Sequence, residues 1–242
     1  MSADLPDSCA RLLAFQHGVI ARWQAPAIGV NPAAIDRLLR YGRWRHLYRG
    51  VYAAYTGAPP RQCLLWASVL RAGPGAALSH HTAGELDGLT DGPSSVIHVT
   101  VGHDRRVRIS RQERHALAPP IVIHRSYRID VIRHPARTPP RTRIEETVLD
   151  LTQLSAGFDD AFAWLSRACG RRLVTPRTLR AAVGQRGRLR WRDDILGALP
   201  LIADGAHSNL EYRYVRDVEQ GHGLPAAKRQ VRLARGSPSF PR

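Results

Sequence analysis

Apolar and polar positions change period several times along this chain, and each change marks an element. Residues 8–17, Ser-Cys-Ala-Arg-Leu-Leu-Ala-Phe-Gln-His, predict a helix opened by Asp7 or Ser8 and ended by Gly18. Val19 to Ala27 predict a short second helix. A third spans Asn31 to Tyr41. Asn31 suits its N-cap, and Pro32 suits its first position, where no backbone donor is needed. Ile35, Leu38 and Leu39 recur at i, i+3 and i+4 as one apolar face, with Arg37 and Arg40 on the other side. Gly42 supplies a left-handed stop. A tight hairpin then carries Arg43, Arg45 and Arg49 beside Trp44, Tyr48 and Tyr52. Three helices and a hairpin in one short stretch predict a winged helix-turn-helix.

Gly57-Ala-Pro-Pro60 interrupts the pattern. Helical spacing resumes with Leu64, Leu65, Val69 and Leu70, ending near Gly73. A shorter helix follows over residues 79–89, opened by Ser79. Val96 to Val101 alternate as a strand, Val107 and Ile109 suggest a second, and Ile121 to His124 a third. Helices are predicted over Arg143–Leu154, Phe158–Cys169, Thr175–Val183, Trp191–Leu201 and Ser208–Gln220. Lys228–Leu233 suggest a last strand, and the final residues carry no periodicity. The expected fold class is α+β: an N-terminal winged helix-turn-helix, a mixed helix–sheet middle domain, and C-terminal helices. The expected domains are 1–57, 58–155, a helical connector at 156–205, and 206–242.

Charge sharpens this picture. The chain of 242 residues carries a net charge of +16. Residues 8–58 hold seven arginines against the single acid Asp36, and residues 105–143 hold eleven against Glu113 and Asp130. Lys228 is the only lysine, so 35 of the 36 basic residues are arginine, a bias that a GC-rich genome also produces. Such bias explains abundance; it does not explain two concentrated blocks, which suggest contact with a polyanion. A small helix with a cationic outer face, beside a cationic hairpin, suits a DNA major groove and its flanking phosphates. On this reading Arg37 and Arg40 reach base edges, because an arginine fork pairs with guanine O6 and N7. Arg43, Arg45 and Arg49 meet phosphates or the minor groove. The competing reading is an ordinary solvated helix face. Trp44, Tyr48 and Tyr52 read as hairpin core before base-stacking groups. The second basic block fits phosphates along a backbone, an acidic protein partner, or RNA.

Two segments resemble known families. The helix ending in His17-Gly-Val-Ile20 and the string Arg37-Leu-Leu-Arg-Tyr-Gly-Arg-Trp-Arg-His-Leu-Tyr-Arg-Gly-Val-Tyr52 resemble the winged-helix domain of the type IV abortive-infection (AbiEi) antitoxins. Leu78–Leu89, Ile97–Val101 and Arg143–Leu151 continue the resemblance through about residue 155. It implies a double-stranded-DNA-binding repressor of its own operon, paired with a nucleotidyltransferase-like toxin. His207–Pro225 and Arg229–Leu233 resemble the start of a DUF559, very-short-patch-repair-like endonuclease domain. That family holds a divalent metal with a helix glutamate, which Glu211 matches, and with acids on later strands that this chain lacks.

Catalytic and metal chemistry are otherwise weakly signalled. Ser208-Asn-Leu-Glu211 reads as a capping box, and one glutamate cannot complete a metal site. Asp217 and Glu219 share its helix but point elsewhere. His80 and His81 are adjacent and cannot chelate as an i, i+4 pair does; His98, His103, His115, His124 and His134 are spread through strands and loops. No metal or cofactor is therefore expected, and Glu211 remains a weak catalytic candidate. Cys9, Cys63 and Cys169 lack metal spacing and suggest reduced thiols. No apolar run approaches a membrane span, and no signal peptide opens the chain, so a cytoplasmic, nucleoid-associated protein is expected. The functional expectation is sequence-specific DNA binding of the antitoxin-repressor type. The alternatives are a metal-dependent endonuclease or its truncated remnant, and a toxin-neutralising protein whose basic middle domain grips its partner. Oligomeric state is left open.

Overall fold

A computed structural model describes residues 5–110, 118–205, 209–222 and 224. The fold is α+β. Contacts divide the chain into two compact units, residues 1–150 and 151–242.

The first unit begins with helix α1 (Asp7–Phe15), strand β1 (Val19–Ala21), and two 3-10 turns at Arg22–Gln24 and Pro26–Ile28. Helix α2 (Pro32–Arg40) and a hairpin of β2 (Arg45–Tyr48) and β3 (Val51–Ala53) follow. The three strands form an antiparallel sheet in the order β1-β3-β2. Gly18 takes φ +79°, and its missing side chain matters, since a Cβ there would stand 2.8 Å from the Tyr55 ring. The side chain of Asn31 accepts the Ala33 N–H at 2.9 Å, and Gly42 stops α2 at φ +66°.

The expected helix over Val19–Ala27 does not form. The strand that replaces it is buried on both faces, so its apolar run carries no alternation by which to distinguish it from a helix. Ile20 and Tyr52 face α1 and α2, packing with Cys9, Ile35, Leu38 and Trp44. Val19, Ala21, Val51 and Ala53 face the other way, onto Cys63, Trp66, Ala67 and Leu70 of helix α3 (Arg61–Ala72). The core thus runs across the expected boundary at residues 57 and 58: the small sheet needs α3 to cover its second face. The Tyr48 hydroxyl donates to the Pro119 carbonyl at 2.7 Å, tying the hairpin to the segment beyond.

A second sheet follows in the same unit. Strands β4 (Ala77–Leu78), β5 (Ile97–Gly102) and β6 (Ile121–Ser126) lie in the order β4-β5-β6, with β4–β5 antiparallel and β5–β6 parallel. The expected strand at Val107 and Ile109 is absent: residues 105–110 carry no regular structure. The face bearing Ile97, Val99 and Val101 packs on Leu65, Val69 and Leu78. Helix α4 (His80–Leu86) contacts β5, and the short α5 (Ile129–Ile132) precedes α6 (Ile144–Leu154).

The second unit holds α7 (Phe158–Gly170), α8 (Pro176–Gly184), α9 (Arg192–Ala203) and α10 (Asn209–Arg213), the last continuing as a π-helix over Tyr214–Gln220. Thr175 caps α8, its hydroxyl accepting the Thr178 N–H at 3.1 Å. Phe162 of α7 stacks on Tyr212 of α10 with centroids 4.7 Å apart. Glu211 is half-buried on α10; Ser208, its expected capping partner, and the expected strand Lys228–Leu233 lie outside the described residues. Cys9, Cys63 and Cys169 are free thiols. Among the described residues no helix is long and apolar enough to cross a membrane.

Candidate nucleic-acid interface

Helix α2 is amphipathic for a local reason. Ile35 and Leu38 are buried in the core beside Trp44 and Tyr52, which turns Arg37 and Arg40 outward. Arg43 follows Gly42 and is likewise exposed. The side chains of these three arginines make no hydrogen bond or ion pair within the described residues. Tyr41, between them, is 71% exposed, an aromatic that the apolar pattern of the helix does not single out. The only acid of the segment, Asp36, forms an ion pair with Arg22, whose Nε also donates to the Tyr52 hydroxyl at 2.8 Å. The outer face of α2 thus carries free guanidinium groups and a neutralised carboxylate.

The hairpin contributes less uniformly. Arg49 is exposed in the turn, next to Gly50 at φ +71°. Arg45 is half-buried and donates from Nε to the Tyr55 carbonyl at 3.2 Å. It is therefore held against the hairpin, unlike the arginines of α2. Trp44, Tyr48 and Tyr52 are buried, as core residues rather than stacking platforms.

The second basic block is divided between structure and surface. Arg128 pairs with buried Glu146 at 3.0 Å, and buried Arg141 pairs with Asp87 at 2.8 Å. Arg105 donates to the Pro74 carbonyl and Arg143 to the Val131 carbonyl. Arg106, Arg108, Arg125 and Arg137 are exposed. Arg111 and Arg114 lie outside the described residues. Much of this block serves internal pairing, so its net charge overstates the cation surface it offers.

One grouping was not visible in the linear spacing. His80, His98 and His124, which read as scattered, come together with ring nitrogens within 4.8 Å of one another. The register pairs His98 with Val122 and Thr100 with His124, so the two strand histidines are diagonal neighbours on one face. Ile97-His98 and Ile123-His124 share that phase, which was the available signal. Burial, reinforced by the neighbouring imidazoles, depresses both His98 and His124 to about 4. Burial also lowers His81.

No protein-family model matches this chain, and no curated protein matches it.

Proposed function

We propose that the chain is a sequence-specific DNA-binding protein that grips duplex DNA through α2 and the hairpin, and that it acts as a transcriptional repressor of the antitoxin type. The observation that carries this reading is the outer face of α2 and the turn after it: Arg37, Arg40 and Arg43 exposed and without partners among the described residues, and the one nearby acid already occupied by Arg22. Structural arginines are held by pairs, as Arg128 and Arg141 are. Arginines left free on one short helix suit phosphates and base edges.

The element order supports the same reading. Helix, strand, turns, helix and hairpin, with a sheet ordered β1-β3-β2, suit a winged helix-turn-helix. On this reading residues 22–28 stand in for the middle helix and α2 would serve as the recognition helix. Arg49 at the hairpin turn would meet flanking phosphates, and Arg45 is the weakest of the five contacts because Tyr55 holds it. Exposed Arg106, Arg108 and Arg125 would extend a nonspecific footprint or meet an acidic partner, including a nucleotidyltransferase-like toxin. Glu211 belongs to no group of three or more metal-ligating side chains among the described residues, and no cleavage step is assigned to it.

The test is selection from fragmented genomic DNA. Immobilised protein should retain a small set of fragments sharing a motif, including DNA upstream of its own reading frame. Retention without sequence enrichment would contradict sequence-specific binding.

A further inference from the structure

We propose that His80, His98 and His124 form a binding site for one divalent transition-metal ion of the zinc class. The site is built from three separated segments. His80 opens α4, His98 lies on β5, and His124 lies on β6. Their ring nitrogens fall within 4.8 Å of one another, close enough to be drawn onto one ion. His98 Nδ1 and His124 Nε2 already face each other at 2.9 Å, with ring planes only 17° apart. Two imidazole nitrogens on a tetrahedral ion, each bonded at about 2.0–2.1 Å, stand roughly 3.3 Å apart. Without metal that contact is a hydrogen bond; an ion replaces its proton when the contact opens by a few tenths of an ångström and both rings tilt until their lone pairs converge.

The third ligand is held in place at a conformational cost. His80 adopts φ +50°, a left-handed backbone that a residue with a Cβ takes only when its surroundings impose it. The cost places its ring over His124, with centroids 3.7 Å apart. Its Nδ1 lies 2.9 Å from the Ser79 hydroxyl, and that hydroxyl accepts from Thr100 Oγ1 at 2.8 Å. Ser79 and Thr100 are both buried. This arrangement is a second layer of the kind that fixes the tautomer and aim of a ligating imidazole. In the tautomer whose Nδ1–H donates to Ser79 Oγ, the ligating nitrogen of His80 is Nε2. A small ring rotation off the His124 face turns that nitrogen toward the other two.

The donor set selects the ion. Three neutral imidazoles without a carboxylate suit Zn²⁺, Co²⁺ or Ni²⁺ and disfavour Mg²⁺ and Ca²⁺, which require oxygen. His98 and His124 are only partly buried and Val122 on the same face is exposed, so solvent reaches the site. Three protein ligands leave a tetrahedral ion one position for water. The ion would tie the start of α4 to both strands of the parallel pair.

The full chain, stripped by chelator and dialysed, should be titrated with Zn²⁺ and with Co²⁺. The expected result is one equivalent bound per chain, intense visible absorption with Co²⁺ from tetrahedral coordination, and a raised melting temperature with Zn²⁺. Ser79→Ala should weaken binding by about tenfold to a hundredfold while the protein stays folded. His98→Ala and His124→Ala should lose stoichiometric binding, and His103→Ala, outside the cluster, should keep it. Failure of the unaltered chain to bind either ion stoichiometrically would overturn the proposal. So would undiminished binding in a folded His98→Ala or His124→Ala protein. If those alanine variants do not fold, the titration of the unaltered chain and of Ser79→Ala decides.

Discussion

Arg22 forms an ion pair with Asp36, the only acid on α2, and thereby removes the one negative charge beside Arg37 and Arg40. Both partners are close to half exposed, so the pair contributes little to stability; an exposed pair is worth about 1 kcal/mol or less. Its consequence is electrostatic. Asp36→Asn should leave stability within about 0.5 kcal/mol of the parent. It should raise DNA affinity roughly threefold to tenfold in dilute buffer, with the gain shrinking as salt rises. Fluorescence anisotropy with a labelled duplex reads this directly, and unchanged or weakened binding would contradict it.

Gly18 joins α1 to the three-stranded sheet at φ +79°, against the Tyr55 ring. Gly18→Ala adds backbone strain and a clash at 2.8 Å. The expected loss exceeds about 1 kcal/mol in chemical denaturation. A neutral outcome would mean that the junction takes another conformation.

Tyr48 places a buried hydroxyl between the Pro119 carbonyl and Ser68 Oγ, at 2.7 and 3.3 Å. Tyr48→Phe keeps the ring and removes the one O–H that the Pro119 carbonyl accepts. A loss of about 1–2 kcal/mol is expected, with DNA affinity retained because the substitution lies behind the exposed face. Equal stability would detach the hairpin from the strand-bearing segment.

Much of this architecture was readable in sequence, and the failures have physical causes. Helices with one apolar face, such as α2 and α7, show their period plainly. Gly42 and Thr175 mark helix ends by chemistry that acts within a few residues. Strand β1 was misread because both its faces are buried, which erases alternation. The strand expected at Val107 and Ile109 has two well-spaced apolar residues and no regular pairing, since alternation signals a strand only where a neighbour completes it. The arginines of α2 were legible because exposure follows from the positions of Ile35 and Leu38. The separation of paired Arg128 and Arg141 from exposed Arg106 was not, since it depends on Glu146 and Asp87, which come from elsewhere in the chain. The histidine cluster depends on the register of β5 against β6 and on the turn at His80, neither of which local spacing reveals.

Acid should destabilise the metal-free protein through those histidines. His98 and His124 are held near 4, chiefly by burial, below the ordinary histidine value of about 6.5. His80 and His81 on α4 face them as further imidazoles, and Asp150 on α6 opposes the shift at His124. The unfolded chain therefore binds protons first as pH falls. The contribution is complete above about pH 6.5 and is lost progressively between about 6.5 and 4. In chelator, the melting temperature should fall across that window, and His98→Gln combined with His124→Gln should flatten the slope. Identical slopes would contradict the assignment.

The central claim is that the free arginines of α2 hold DNA. It is tested most directly by titrating a selected duplex with the parent protein and with Arg37→Ala combined with Arg40→Ala, at several salt concentrations. The account predicts a loss of at least about tenfold in affinity at fixed salt, a salt slope shallower by about 1–2, and an unchanged melting temperature. Equal affinity and equal slope in a folded double variant would contradict it.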